Sequence, residues 1–158
     1  MRKYMIILGE KGLSGMVKYL LDLIFVGGIG IFISLPFSLK WYLNYMYGGV
    51  SDNIYYFLLA LLYVTGVLAL MIVNEIRKIF KTLNRKNPFE MDNVHSLNRI
   101  AVASFFIAFF YVFKIIFFTS VLTIILVMVF IIAGFFSVIL AEVFRQAVTV
   151  KEENDFTI

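Results

Sequence analysis

The chain has 158 residues, of which 62% are hydrophobic and only 15% charged, and its mean hydropathy is +0.95. Soluble domains are about half apolar and about a quarter charged, so the composition excludes an ordinary soluble domain. The absence of cysteine excludes disulfides, thiolate catalysis and zinc–thiolate sites, and a net charge of +4 is small enough that its distribution says more than its sum.

The first predicted span covers about 16–37. It is too long for a signal-peptide core and lacks a small-residue cleavage site, so it is expected to be a retained anchor. Pro36 is expected to close its outer end, because proline has no amide to continue the helix ladder. An interfacial loop should follow over 38–53, where Lys40, Trp41, Tyr42, Tyr45, Tyr47 and two glycines suit the headgroup region.

The second predicted span covers about 54–73, and its helix should run on into water. Ile76, Phe80 and Leu83 recur at helical spacing, with Arg77, Lys78, Lys81 and Arg85 between them. This amphipathic stretch reads either as a stalk resting on anionic headgroups or as a docking surface for a partner. A break is expected from Asn84 to Pro88, since the residue before a proline avoids the helical region. The segment after it carries the single His95, too isolated for a metal site, and Ser96 is the expected cap of the next span.

Between Arg99 and Glu142 the only charged side chain is Lys114. A bilayer core of about 30 Å takes roughly 20 apolar residues in a helix, so this run holds two crossings, about 97–117 and 121–141. Lys114 and Thr119-Ser120 mark the turn. The last helix should continue into a tail over 142–158, with Glu142 and Arg145 paired along one face and a locally acidic end that includes Glu152 and Glu153.

These spans define the expected fold: an all-α integral membrane bundle of four antiparallel helices, forming a single transmembrane domain over 1–158. The N-terminal arm, the 74–96 loop with Arg99, and the tail hold 12 of the 14 Lys and Arg residues; only Lys40 and Lys114 lie on the other side. The positive-inside rule then puts both termini in the cytoplasm.

Helices in lipid associate through small residues that allow close approach. Gly30 and Ser34 form such a stripe on the first span, Ser104 and Ala108 on the third, and Ala133, Ser137 and Ala141 on the fourth. The same stripes could form the seam of a homo-oligomer. Asp22, the one acid inside a span, is expected at the cytoplasmic interface, paired with Lys18, Arg99 or Arg145. Thr65, Ser104, Thr123 and Ser137 can bond back to their own helices.

No phosphate loop, metalloprotease helix or nucleophile elbow is present. The chain is expected not to be an enzyme and to need no cofactor or metal. The basic residues are explained by topology, so direct nucleic-acid binding is not expected either.

Two stretches carry a resemblance. Phe80-Lys81-Thr82-Leu83-Asn84-Arg85-Lys86-Asn87-Pro88-Phe89, with Asn93 to Ile100 after it, is one. The other is Leu140-Ala141-Glu142-Val143-Phe144-Arg145-Gln146-Ala147, followed by Lys151 to Asp155 and Thr157-Ile158. Both resemble a family of small bacterial four-helix membrane proteins, the domain-of-unknown-function 2975 family. The resemblance brings no activity with it. It implies a bacterial membrane setting and a gene beside that of a very small helix-turn-helix regulator. Taken with the residues above, it suggests a face made of Ile76, Phe80, Leu83, Arg85, Asn87, Pro88, Phe89, Glu142, Arg145, Glu152 and Glu153 that binds such a regulator. The alternative is a small transporter, channel or accessory subunit with Asp22 and the Glu142–Arg145 pair along a polar route.

Overall fold

A computed structural model describes residues 12–85 and 87–157. Arg2, Lys3, Lys11, Lys86 and Ile158, used above for charge placement and resemblance, lie outside the described residues. Within them the chain forms four helices: α1 (Leu13–Tyr47), α2 (Asp52–Asn84), α3 (Met91–Phe117) and α4 (Val121–Phe156). Each is long and apolar enough to cross a membrane. With 27 to 36 residues apiece they reach about 40–54 Å at 1.5 Å per residue, well beyond a core of about 30 Å. Their ends therefore stand in the headgroup layers and in water.

The helices pack antiparallel and in chain order: α1 on α2, α2 on α3, α3 on α4. Among the described residues α1 makes no close backbone approach to α4, so the bundle is a curved row with an open side between them. As an inner member, α3 carries most of the buried positions, among them Ala101, Ala103, Ser104, Ile107 and Ala108. Those small residues let α4 approach closely. Gly134 on α4 makes room for the Phe105 ring, which also meets Phe135 edge-on at 5.2 Å. Outward-facing Phe109, Ile132, Phe136 and Ile139 are more than half exposed, as lipid-facing side chains must be in a solvent-free bundle.

Several expectations about element ends need correction. α1 does not stop at Pro36 but runs through it for three more turns, so most of the expected 38–53 loop is helical. A proline removes one amide from the ladder and frees one carbonyl, which a transmembrane helix tolerates when other groups compensate. The carbonyl so freed is that of Phe32, four residues back; the Tyr55 hydroxyl on α2 donates to the carbonyl of Pro36 itself at 3.1 Å and ties α1 to α2 at that point. The real stop is Gly48, whose φ of 65° closes the helix in the left-handed conformation that glycine adopts without strain. The 74–96 loop is also largely helix, and its irregular part shrinks to the connector between Asn84 and Met91. Ser96 does not cap α3: it lies a turn and a half inside the helix and is buried. The tail is helical to Phe156, with Val148 buried.

The small-residue stripes shift in two places, by two positions on α1 and by one on α4. Gly30 faces open space, with nothing within 4 Å of a Cβ placed there, and Ser34 is half-buried with its hydroxyl bonded to the Ile31 carbonyl. The α1–α2 seam instead uses Gly28 against Leu70 and Gly66 against Phe32. On α4 the buried small residues are Gly134, Ser137 and Ala141, while Ala133 is only half-buried. A helix advances about 100° per residue, so one position decides which residue of a small pair faces a neighbour.

Candidate functional site

The charged end of the bundle, where α2 meets α3 through the connector and α4 leaves the core, gathers most of the polar structure. Asn93 begins it. It is almost fully buried in the first turn of α3, and its amide donates to the Pro88 carbonyl and to the Thr82 hydroxyl, both at 2.7 Å. Thr82 sits in the last turns of α2. One buried amide thus ties both helix ends to the connector, satisfying backbone that would otherwise be orphaned. Asn87 donates to Glu90 within the connector and accepts from Lys151 of α4 at 2.8 Å.

Phe89 completes the joint. Its ring lies 5.8 Å from that of Phe144 on α4 yet remains 44% exposed. Behind it, Val94, Leu97 and Ala141 form the core, with Ile79, Leu140 and Phe144 against them. Connector and α4 extension are therefore one surface. A shallow groove of about 590 Å³ runs between Phe89 and the α4 face built by Gln146, Ala147, Val150 and Lys151.

A second cluster centres on Glu75, which is only 3% exposed. Lys78 donates to its Oε1 at 2.6 Å and Arg99 of α3 reaches the same oxygen at 3.4 Å. Its Oε2 is buried outside both ion pairs, and the Ser96 hydroxyl of α3 lies against the carboxylate. Next to this carboxylate a polar cleft of about 400 Å³ opens, walled by Lys78, Lys81, Arg85, His95 and Arg99 beside Glu90 and Asp92. Among the described residues no three His, Cys, Asp or Glu side chains converge as a metal site requires.

The expected site residues divide accordingly. Asn87, Pro88 and Phe89 are brought together with α4. Ile76, Phe80 and Leu83 are half-buried along α2, and Arg85 is exposed just past its end. Glu142 is paired with Arg145 and also accepts from Gln146 at 3.2 Å; the Arg145 bond, then the Gln146 bond, holds its carboxyl below the ordinary value. Glu152 and Glu153 are exposed on the last turns of α4. Asp22 pairs with none of the cations expected for it: its partner is Arg77 of α2, at 2.6 Å. That pair lies on the α1–α2 seam, whereas Glu142–Arg145 lies on α4, so the two do not form one route. The Thr123 hydroxyl is engaged across the bundle, where it accepts from Lys114 of α3.

Sequence reasoning missed Glu75 and underused Asn93. Glu75 had a signal: it stands three residues before Lys78, the spacing of neighbours on a helix face. That it would be buried depended on α3 lying across it, which no local pattern states.

Four apolar antiparallel helices with charged and aromatic ends make this an integral, multi-pass, all-α membrane protein. The chain belongs to the DUF2975 family, described as proteins of unknown function, whose model matches residues 38–158. The match takes in the end of α1 and all of α2, α3 and α4. No curated protein and no solved structure matches the chain.

Proposed function

We propose that this is a non-enzymatic protein of the bacterial cell membrane whose cytoplasmic face binds and restrains a small helix-turn-helix transcription regulator. The observation that carries the reading is the joint between connector and α4: Phe89 on Phe144 and Lys151 on Asn87 make two distant stretches of sequence one surface with an open groove. These are the stretches that resemble the family. The skew of Lys and Arg toward this end supports a cytoplasmic position.

The chemistry suits a basic partner. Over 142–158 there are four acids, Glu142, Glu152, Glu153 and Asp155, against Arg145 and Lys151. DNA-binding surfaces are basic because they neutralise phosphates. An acidic helix with an apolar strip can occupy such a surface in competition with DNA, which restrains the regulator and holds it at the membrane. Individual exposed ion pairs contribute only about 0–1 kcal/mol, so the apolar groove has to supply the remaining affinity.

The test is co-expression with the small helix-turn-helix protein that the family resemblance implies is encoded beside it. The regulator should sediment with membranes and lose DNA mobility-shift activity when the membrane protein is present. Replacing Phe80 and Phe89 by Ala should release it without reducing membrane insertion. A regulator that partitions identically with and without the membrane protein overturns the reading.

A further inference from the structure

The opposite end of the bundle holds a feature the charged face does not explain. A cavity of about 840 Å³ lies among all four helices, walled mainly by apolar side chains such as Leu39, Leu58, Leu61 and Leu126. Below it a smaller slot of about 260 Å³ continues among the four helices past Phe32, Gly66, Ile107 and Phe130. The two share Leu35, Leu62 and Tyr111 as walls, so they form one path. The path exists because α1 touches α2 but does not close on α4. The larger cavity falls within the range of about 300–1,000 Å³ of small-molecule sites, which are apolar with a few placed polar groups.

Among the described residues Lys114 is the only charged side chain on the wall of that cavity. Lysines near helix ends usually extend their ammonium outward to water. This one is turned inward: its Nζ donates at 2.7 Å to the Thr123 hydroxyl, and Thr123 is buried. Among the described residues no carboxylate pairs with it, although the other inter-helix cations, Arg77 and Arg99, each meet an acid. An ammonium fixed on an apolar wall without a counter-charge favours an anion beside it. Tyr42, Ser120 and Tyr111 add hydroxyls on the same wall.

We propose that this path binds a single-chain amphiphile with a carboxylate head, the head beside Lys114 and the chain in the slot that descends toward Gly28 and Gly66. Length fits: from Tyr42 to Gly28 the α1 wall measures about 21 Å, and one leaflet of acyl chain spans about 15 Å. The slot, at about 260 Å³, is much the smaller of the two spaces, which favours one acyl chain over the two of a phospholipid. A single ammonium matches the single charge of a carboxylate.

The experiment uses the full chain in nanodiscs of zwitterionic phosphatidylcholine, with a diazirine analogue of palmitic acid as probe and labelled peptides mapped by mass spectrometry. Label should concentrate on peptides carrying Leu35, Leu62 or Tyr111. Palmitate should compete, and hexadecanol should compete about tenfold or more weakly, as loss of one charge-assisted hydrogen bond implies. Lys114→Gln should weaken labelling by a similar factor and Lys114→Arg should restore it. The competition on the unaltered protein stands even if a variant misfolds. Equal competition by hexadecanol overturns the proposal, as does equal labelling of peptides carrying lipid-facing Phe136 and Ile139. Stronger competition by phosphatidylglycerol than by palmitate also overturns it, in favour of a phospholipid.

Discussion

Arg77 of α2 donates to Asp22 of α1 at 2.6 Å while its guanidinium lies 4.5 Å above the Phe25 ring. One side chain thus ties α1 to α2 by charge and by aromatic contact together. α1 has few other anchors: among its described residues only Ser14, Gly15 and Leu43 are buried. Both charges of the pair are about one-third exposed, so their coupling is modest, about 0.5–1 kcal/mol. A double-mutant cycle with Asp22→Asn and Arg77→Met, read by thermal unfolding in detergent, should give that coupling. A coupling of zero would leave α1 held by the Gly28 and Gly66 packing, the Phe32–Tyr63 contact and the Tyr55–Pro36 bond.

The Glu75 cluster should respond asymmetrically. Lys78 and Arg99 are about half exposed and stay solvated without Glu75, whereas Glu75 is buried and does not. Glu75→Gln is expected to cost about 1 kcal/mol. The double change Lys78→Met with Arg99→Met leaves an unpaired buried carboxylate and should cost about 3 kcal/mol. Chemical unfolding in mixed micelles measures both, and the reverse order would mean that Glu75 is reached by water.

Two glycines separate packing from mere flexibility. A Cβ at Gly134 would sit 2.8 Å from the Phe105 ring, while one at Gly30 meets nothing within 4 Å. Gly134→Val should therefore destabilise by about 1–3 kcal/mol through overpacking of the α3–α4 seam. Gly30→Val should stay within about 0.5 kcal/mol, as changes away from contacts do. Melting temperatures of the two variants decide the matter, and loss of a homo-oligomer with Gly30→Val alone would place a subunit seam on that face.

Topology is open to direct labelling because the protein contains no cysteine. Asn44 near the end of α1 and Met91 at the start of α3 are both exposed and lie at opposite ends of the bundle. In intact cells an impermeant thiol reagent should label Asn44→Cys and spare Met91→Cys. Labelling of Met91→Cys from outside would invert the orientation and remove the cytoplasmic docking face with it.

The sequence by itself determined the membrane class, the number of helices and their alternation. Those properties depend on local quantities: the apolar run from Arg99 to Glu142 cannot find a wet face in any soluble fold, and the excess of Lys and Arg at alternate ends follows from the cost of moving charge across lipid. The amphipathic end of α2 and the continuation of α4 were legible for the same reason, since helical periodicity is local. The helix stops were less so. Pro36 marks an end by local rules because it removes an amide from the ladder, whereas the packing of α2 along α1, with Tyr55 bonded to the Pro36 carbonyl, comes from another helix. Tertiary structure alone decided which small residues face a neighbour, that Arg77 rather than Lys18 answers Asp22, that Glu75 is buried under α3, and that α1 stays apart from α4. Each of these turns on the rotation and lateral order of helices. In lipid, every outward face is equally content to be apolar, so hydrophobic pattern leaves rotation undetermined and close packing has to fix it.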